Sequence, residues 1–215
     1  MNIAIDGPAG AGKSTVAKIL AKKLKYTYID TGAMYRALTL KATRKKIDLN
    51  NEDLLLKLLK ETEIQIKDFT VLLDEEDVTL DIRTPNIDKN VSITAAATKV
   101  RKHMIYLQRN MAKDTCVIMD GRDIGTVVLP KADFKFFITA SIEERARRRY
   151  NELIDKGYKV NYSNIINEIS KRDELDINRI VSPLKCAADA IVINTDNKSI
   201  NEVVQQVLEY VSKGE

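Results

Sequence analysis

The run Gly7-Pro8-Ala9-Gly10-Ala11-Gly12-Lys13-Ser14-Thr15 fits the spacing G-x-x-x-x-G-K-[ST] of a phosphate-binding loop. Glycines permit positive φ and carry no Cβ, so successive amide N–H groups can turn toward one anion. The unpaired N–H groups of a following helix add donors and a positive dipole. Lys13 brings an ammonium to the β and γ phosphates of a nucleoside triphosphate, and the Ser14 hydroxyl suits Mg²⁺. The competing reading is a glycine-rich turn with no ligand. The complete set of fixed positions argues against it, yet the motif leaves the reaction open.

Two further segments carry chemistry. Asp30-Thr31-Gly32-Ala33-Met34-Tyr35-Arg36 follows an apolar run, and Asp120-Gly121-Arg122-Asp123-Ile124-Gly125 follows another. Both therefore start at the carboxyl ends of strands, where open α/β sheets bind ligands. Thr31 is suited to cap the helix that follows it. An Asp that closes a strand in a phosphate-loop protein commonly handles Mg²⁺ or its waters, and Asp120 fills that place. The Arg122 guanidinium suits a phosphate bidentately, and the Asp123 carboxylate can accept from an amino group.

A basic run, Glu143-Glu144-Arg145-Ala146-Arg147-Arg148-Arg149, places Arg145, Arg148 and Arg149 at i, i+3 and i+4 on one helical face. The bland alternative is a solvated helix with acid–base pairs. The segment continues through Lys156-Gly157-Tyr158 into a second helix that ends with Arg172 to Arg179, so a helix–turn–helix flap closing over phosphates is the functional reading. His103 is the single histidine, sits mid-helix and reads as structural or solvated.

Stepping outward to the elements, short β-rich runs lie at Ile3–Ile5, Tyr26–Ile29, Val117–Met119, Phe134–Ile138 and Ala190–Ile193. Helical spacing lies between them, at Val16–Leu24, Met34–Ala42, Thr98–Met111, Ile142–Leu153, Ile165–Ser170 and Val203–Val211. The alternation predicts an α/β fold with a parallel sheet flanked by helices. Ile64–Lys67, Val71–Leu73 and Val78–Leu80 are too closely spaced for crossovers and predict a small antiparallel meander, with Asp74 to Asp77 in a gap. Residues 37–97 read as an insertion carrying it.

The chain has 215 residues, 44% hydrophobic and 31% charged, which suits one domain with insertions. Such a chain buries roughly 70% of its unfolded surface and needs no disulfide or metal to hold a core. Cys116 and Cys186 form no C-x-x-C pair, and Cys116, beside Val117-Ile118-Met119, reads as a buried free thiol. No apolar stretch approaches the ~20 residues of a membrane span, and no secretory pattern opens the chain. A cytoplasmic, monomeric protein without a membrane or nucleic-acid partner is the expectation. The net charge of +4 is mild and scattered, and no aromatics interleave its basic residues as a nucleic-acid binder would need.

Taken together, these segments resemble the bacterial cytidylate kinases over essentially the whole chain. The resemblance rests on Gly7 to Thr15, Asp30 to Arg36, Asp120-Gly121-Arg122-Asp123-Ile124-Gly125-Thr126-Val127-Val128, Glu143 to Ala146, Arg172-Asp173 and Asn178-Arg179. The second and third of these are far narrower than a phosphate loop. The resemblance implies a P-loop nucleoside monophosphate kinase fold with a monophosphate-binding insert at 37–97 and a helical lid at 145–176. It implies γ-phosphoryl transfer from ATP, with Mg²⁺, to CMP or dCMP. Carried onto this chain, Arg36 and Arg122 clamp the acceptor's phosphate with Thr31 and Tyr35 beside them. Ser92, Arg101 and Asp123 read cytosine, and Arg172 and Asp176 contact the sugar. Arg179 bridges the two nucleotides' phosphates, while Arg145, Arg148 and Arg149 act from the lid. The chain departs from other members at Ser14, where some have Gly or Thr, and at Thr31, where others have Ser. It also departs at Leu175 and Ile177, where a more charged run occurs elsewhere. The alternatives are a kinase acting on UMP, AMP or shikimate, and a GTP-binding switch. Asn197-Lys198-Ser199-Ile200 lacks the Asp that a switch's guanine reader requires.

Overall fold

A computed structural model describes residues 1–213. Among these, β1 (Asn2–Asp6), β2 (Thr27–Asp30), β6 (Val117–Asp120), β7 (Phe134–Thr139) and β8 (Ile191–Asn194) form one parallel sheet in the order β2-β6-β1-β7-β8. Side chains alternate across a strand. Ile3 and Ile5 therefore pack with Val16, Leu20 and Phe136 against α1 (Lys13–Leu24) and α8 (Ile200–Lys213). Ala4 faces the other way and packs with Ile29, Met119 and Ile105 of α5 (Thr98–Met111). Each fully buried Ile or Leu here contributes about 1.5–3 kcal/mol. This two-sided core holds β1 at the sheet centre and aims its carboxyl end, where Gly7 begins, into the crevice.

The expected helices are present, most of them longer than the apolar spacing suggests. The segment at Met34 to Ala42 is α2 (Thr31–Arg44). The basic run lies on α6 (Ile142–Asp155), and α7 (Tyr162–Asn178) carries Arg172 and Asp176 within one continuous helix. Its start is set by Asn161, whose side chain accepts from the Ser163 and Asn164 amides. Ala146, Leu153, Ile165 and Ile169 form a small core between α6 and α7.

Residues 37–97 contain the meander and, in addition, two helices that apolar spacing had not singled out. In α3 (Glu52–Lys60), Asn51 caps the N-terminus and Leu55, Leu58 and Leu59 face inward. In α4 (Pro85–Ala96), Pro85 occupies the first helical position, where its missing N–H costs nothing. The meander comprises β3 (Ile64–Lys67), β4 (Thr70–Leu73) and β5 (Glu76–Asp77). Its third strand is thus two residues earlier than expected. Asp74 and Glu75 both take positive φ, 49° and 70°, making a two-residue turn that pairs Leu73 with Glu76. Val78 is left free to drop into the core formed with Leu38, Leu58, Val71 and Met104.

Two smaller expectations need correction. Thr31 does not cap α2; Asp30 does, its Oδ1 accepting from the Ala33 amide at 2.8 Å. Cys116 is half-buried rather than buried, because it precedes β6 at the sheet's lower edge, where its Sγ lies 3.1 Å from the Met1 ammonium. No helix among the described residues is long and apolar enough to cross a membrane.

Candidate active site

Gly7 leaves β1 with φ 141°, and a Cβ there would lie 1.9 Å from the Ile138 carbonyl oxygen. Only glycine lets the loop leave the sheet so close to β7. Pro8, Ala9, Gly10 and Ala11 carry the loop to Gly12 at the start of α1. Lys13 is buried and donates to the Pro8 carbonyl at 2.7 Å, so its ammonium lies across the loop. Burial, with Arg122 nearby, pulls its pKa well down. Ser14 donates to Asp120 Oδ2 at 2.7 Å; Thr15 follows it on α1 and is exposed.

Asp120 is held from three sides. Tyr28 donates to its Oδ1 at 2.7 Å, Ser14 to its Oδ2, and Thr31 Oγ1 donates to its backbone oxygen at 2.8 Å. Burial, with Asp30 close by, pushes the Asp120 carboxyl up to about 6. A buried carboxylate beside a hydroxyl is a pair of hard oxygen donors that a cation would relieve, which fits Mg²⁺ held chiefly through phosphates and waters. No cluster of three or more acidic, His or Cys ligands exists among the described residues, so nothing resembles an all-protein metal cage.

Beyond Asp120 the backbone turns sharply. A Cβ on Gly121 would meet Thr31 Oγ1 at 2.6 Å. The turn is then fixed by Asp6, whose two carboxylate oxygens accept from the Ile124 and Gly125 amides at 2.8 and 2.7 Å. The loop thereby presents Arg122 and Asp123 on opposite partners. Arg122 Nε donates to Asp176 Oδ2 at 2.8 Å, while Arg101 Nη1 donates to Asp123 Oδ2 at 2.9 Å. Arg101 is 2% exposed, and its guanidinium lies over the Tyr35 ring at 5.1 Å. Arg179 sits between the pairs, 3.4 Å from Asp176 and 3.5 Å from Asp123, and also donates to the Ser182 carbonyl.

The cluster is rich in positive charge. Burial, then Arg36 and Arg122, pull Arg172 down to about 9. Arg172 Nε is buried without a hydrogen-bond partner, and Arg179 Nη2 makes no contact closer than its 3.5 Å ion pair with Asp123. Buried donors of this kind ordinarily have an acceptor, which an anion or other polar ligand would supply.

The three α6 arginines share a face as expected, yet each goes to a different neighbour. Arg145 donates to the Ala9 carbonyl at 3.2 Å and pairs with Asp173 at 2.6 Å. Arg148 donates to Thr195 Oγ1 and O at 3.1 and 2.8 Å. Arg149 pairs with Asp88 of α4, which also accepts from Arg36. Burial opposes the Asp88 charge, but Arg36 and Arg149 outweigh it and hold the carboxyl below its usual range. Ser92 lies one helical turn beyond Asp88 and is half-buried.

Asp6, Asp88, Thr195 and Tyr28 were missed from sequence. Asp6 carries a signal that was available, an acid closing an apolar strand, as at Asp120. Asp88, Thr195 and Tyr28 have no local signature; only folding brings them to the site.

Comparison with known proteins places the chain. A family model described as Cytidylate kinase matches residues 3–213. The cytidylate kinase of Desulforamulus reducens is 55% identical over 215 residues, covering 99% of this chain and 97% of that one. The cytidylate kinase of Bacillus subtilis (strain 168) is 52% identical over 217 residues, with coverage of 99% and 97%. Among solved structures, a gluconokinase from Sinorhizobium meliloti 1021 superposes with a TM-score of 0.52 at 13% identity, covering 99% of this chain and 91% of that one; this likeness concerns the fold alone. Identity above half over nearly the full length, together with the match to residues 3–213, means that this chain belongs to the cytidylate kinase family.

Proposed function

We propose that this protein transfers the γ-phosphoryl group of ATP to CMP or dCMP, giving ADP and CDP or dCDP. The observation that carries the reading is the cluster of half-buried arginines, Arg122, Arg172 and Arg179, near Lys13 and the Arg101–Asp123 pair, with Arg172 Nε making no hydrogen bond. Family membership supports it.

In this reading, Gly7 to Thr15 hold the phosphates of ATP and Lys13 offers its charge to the transferring group. Mg²⁺, held through Ser14 and, by way of water, Asp120, would neutralise charge on the donor phosphates. Arg36 and Arg122 bind the acceptor's phosphate, with Thr31 and Tyr35 lining that side. An acceptor phosphate oxygen bonds to the γ-phosphorus as the bond to the β-phosphate oxygen breaks and ADP leaves. Positioning and charge neutralisation carry such a transfer, so no general base is required. Arg179 bridges the two phosphate groups, and Arg145, Arg148 and Arg149 act from the lid.

Ser92, Arg101 and Asp123 read the base. Asp123 accepts from the 4-amino group of cytosine while Arg101 donates. Uracil presents an acceptor to a buried carboxylate and is penalised for the stranded polar group. Arg172 and Asp176 contact the sugar. Residues 37–97 serve as the monophosphate-binding insert and 145–176 as the lid. Every residue invoked comes from one chain, so a monomer suffices.

The test is a coupled ADP-release assay with Mg·ATP and CMP, dCMP, UMP, AMP, GMP or shikimate. Strong turnover with CMP and dCMP, weak with UMP and none with the rest, is expected. Turnover with another acceptor would discard the base assignment while keeping a phosphate-loop kinase.

A further inference from the structure

Asp88 lies among the cations expected to meet the acceptor's phosphate. Its Oδ1 accepts from Arg36 Nε at 3.2 Å and Arg36 Nη2 at 2.5 Å, and its Oδ2 accepts from Arg149 Nη2. The carboxylate thus occupies the Nε–Nη2 edge of Arg36, the fork by which an arginine grips an oxyanion. It also ties α2 to α6 through α4, since Arg36, Arg149 and Asp88 lie on those three helices. The pairs are shielded: Asp88 is 18% exposed, Arg36 13% and Arg149 24%. Arg172, with its unpartnered Nε, senses both Arg36 and Asp88.

We propose that Asp88 is a built-in competitor for the acceptor's phosphate and a latch on α6. Its carboxylate joins Arg149 to Arg36. The arriving phosphate displaces it from Arg36, because two anions on one guanidinium edge repel each other while the dianion brings more charge and more acceptor oxygens. Asp88 is a positioning residue: it touches no reacting atom and acts through the two arginines. The proposal rests on Arg36 being a phosphate ligand, as argued above.

The test compares wild type with Asp88→Asn, which keeps the shape, and with Asp88→Ala. Calorimetric affinities for CMP and for cytidine, which lacks the phosphate, are measured beside the KM for CMP, kcat, and amide hydrogen exchange across 145–155 in the ligand-free protein. Removing the competitor is expected to tighten CMP and lower its KM by about 3- to 30-fold, since bonds to charged groups are among the stronger hydrogen bonds. Cytidine affinity stays within about twofold, as expected for a group whose partners are Arg36 and Arg149 and not the base or sugar. Exchange in α6 rises because its tie to α4 is gone. Weaker CMP binding, equal changes for CMP and cytidine, or unchanged exchange in both variants would overturn the proposal. A wild type that phosphorylates no nucleotide would sink the parent function instead, and the exchange comparison would still decide the latch.

Discussion

Around Lys13 the chain positions its groups with backbone. The Lys13 ammonium rests on the Pro8 carbonyl, Arg145 reaches the Ala9 carbonyl, and Gly7 is pressed against the Ile138 backbone. Around Arg36, Arg122 and Arg179 it uses side-chain ion pairs drawn from distant segments. Asp88 meets Arg36 across 52 residues, Asp176 meets Arg122 across 54, and Asp123 meets Arg101 across 22. A loop built on backbone is set by a short local pattern and holds its shape without its ligand. A site built on side-chain ion pairs depends on folding to bring its partners together. Buried pairs contribute modestly to stability but cost several kcal/mol when one partner is lost.

The largest test of this contrast is Lys13→Ala. If Lys13 offers its charge to the transferring group as proposed, turnover should vanish in the ADP-release assay while the fold, held by the two-sided core, persists by circular dichroism. A normal kcat would show that the phosphate-loop assignment is wrong. Arg179→Ala probes the ion-paired side and should lower kcat by about 10³-fold or more, the scale of transition-state arginines. An effect confined to KM would remove it from that role.

Asp123→Ala sharpens the comparison further, because it empties one half of a buried pair. The ratio of CMP to UMP turnover should fall by about 10- to 100-fold, as expected when the group that penalises the wrong base is removed. Equal losses with every acceptor would contradict a reading role.

The smallest effect concerns Asp6, which joins the two regions. Burial pushes its carboxyl up to about 6, against the lowering effect of the Gly125 and Ile124 amides. Between about pH 4 and 6 the folded chain then holds a proton that the unfolded chain has released. Stability should therefore fall as pH rises through that window. The depressed carboxyls of Asp88 and Asp176 act in the opposite sense, below their unfolded values, where their stabilisation is lost as pH falls. Thermal melts of wild type and Asp6→Asn at pH 4.5 to 7 should show a flatter slope in the variant. Identical slopes would mean that Asp6 does not titrate there.

The elements legible from sequence were those with a local physical signature. The phosphate loop, the sheet strands and α5 follow from glycine spacing and apolar periodicity, and α5 has the bounds the spacing predicts. The two missed helices also carried signals, Asn51 before a leucine-rich run and Pro85 at a first turn, overlooked beside the stronger β pattern between them. The third meander strand was misplaced because non-glycine residues at positive φ, Asp74 and Glu75, leave no turn signature in residue type.

By itself, the sequence determined that a strand, a glycine loop and a helix meet around Lys13, and that acids and arginines stand at two further strand ends. Tertiary structure decided which charges pair. Arg145, Arg148 and Arg149 are close neighbours on one helix, yet they reach the phosphate loop, Thr195 and Asp88 respectively. Asp6 holds the loop after β6, and Asp88 takes the fork of Arg36. The reason is physical: backbone conformation depends on neighbours along the chain, whereas a buried charge takes whichever opposite charge the packing of separate helices brings within reach.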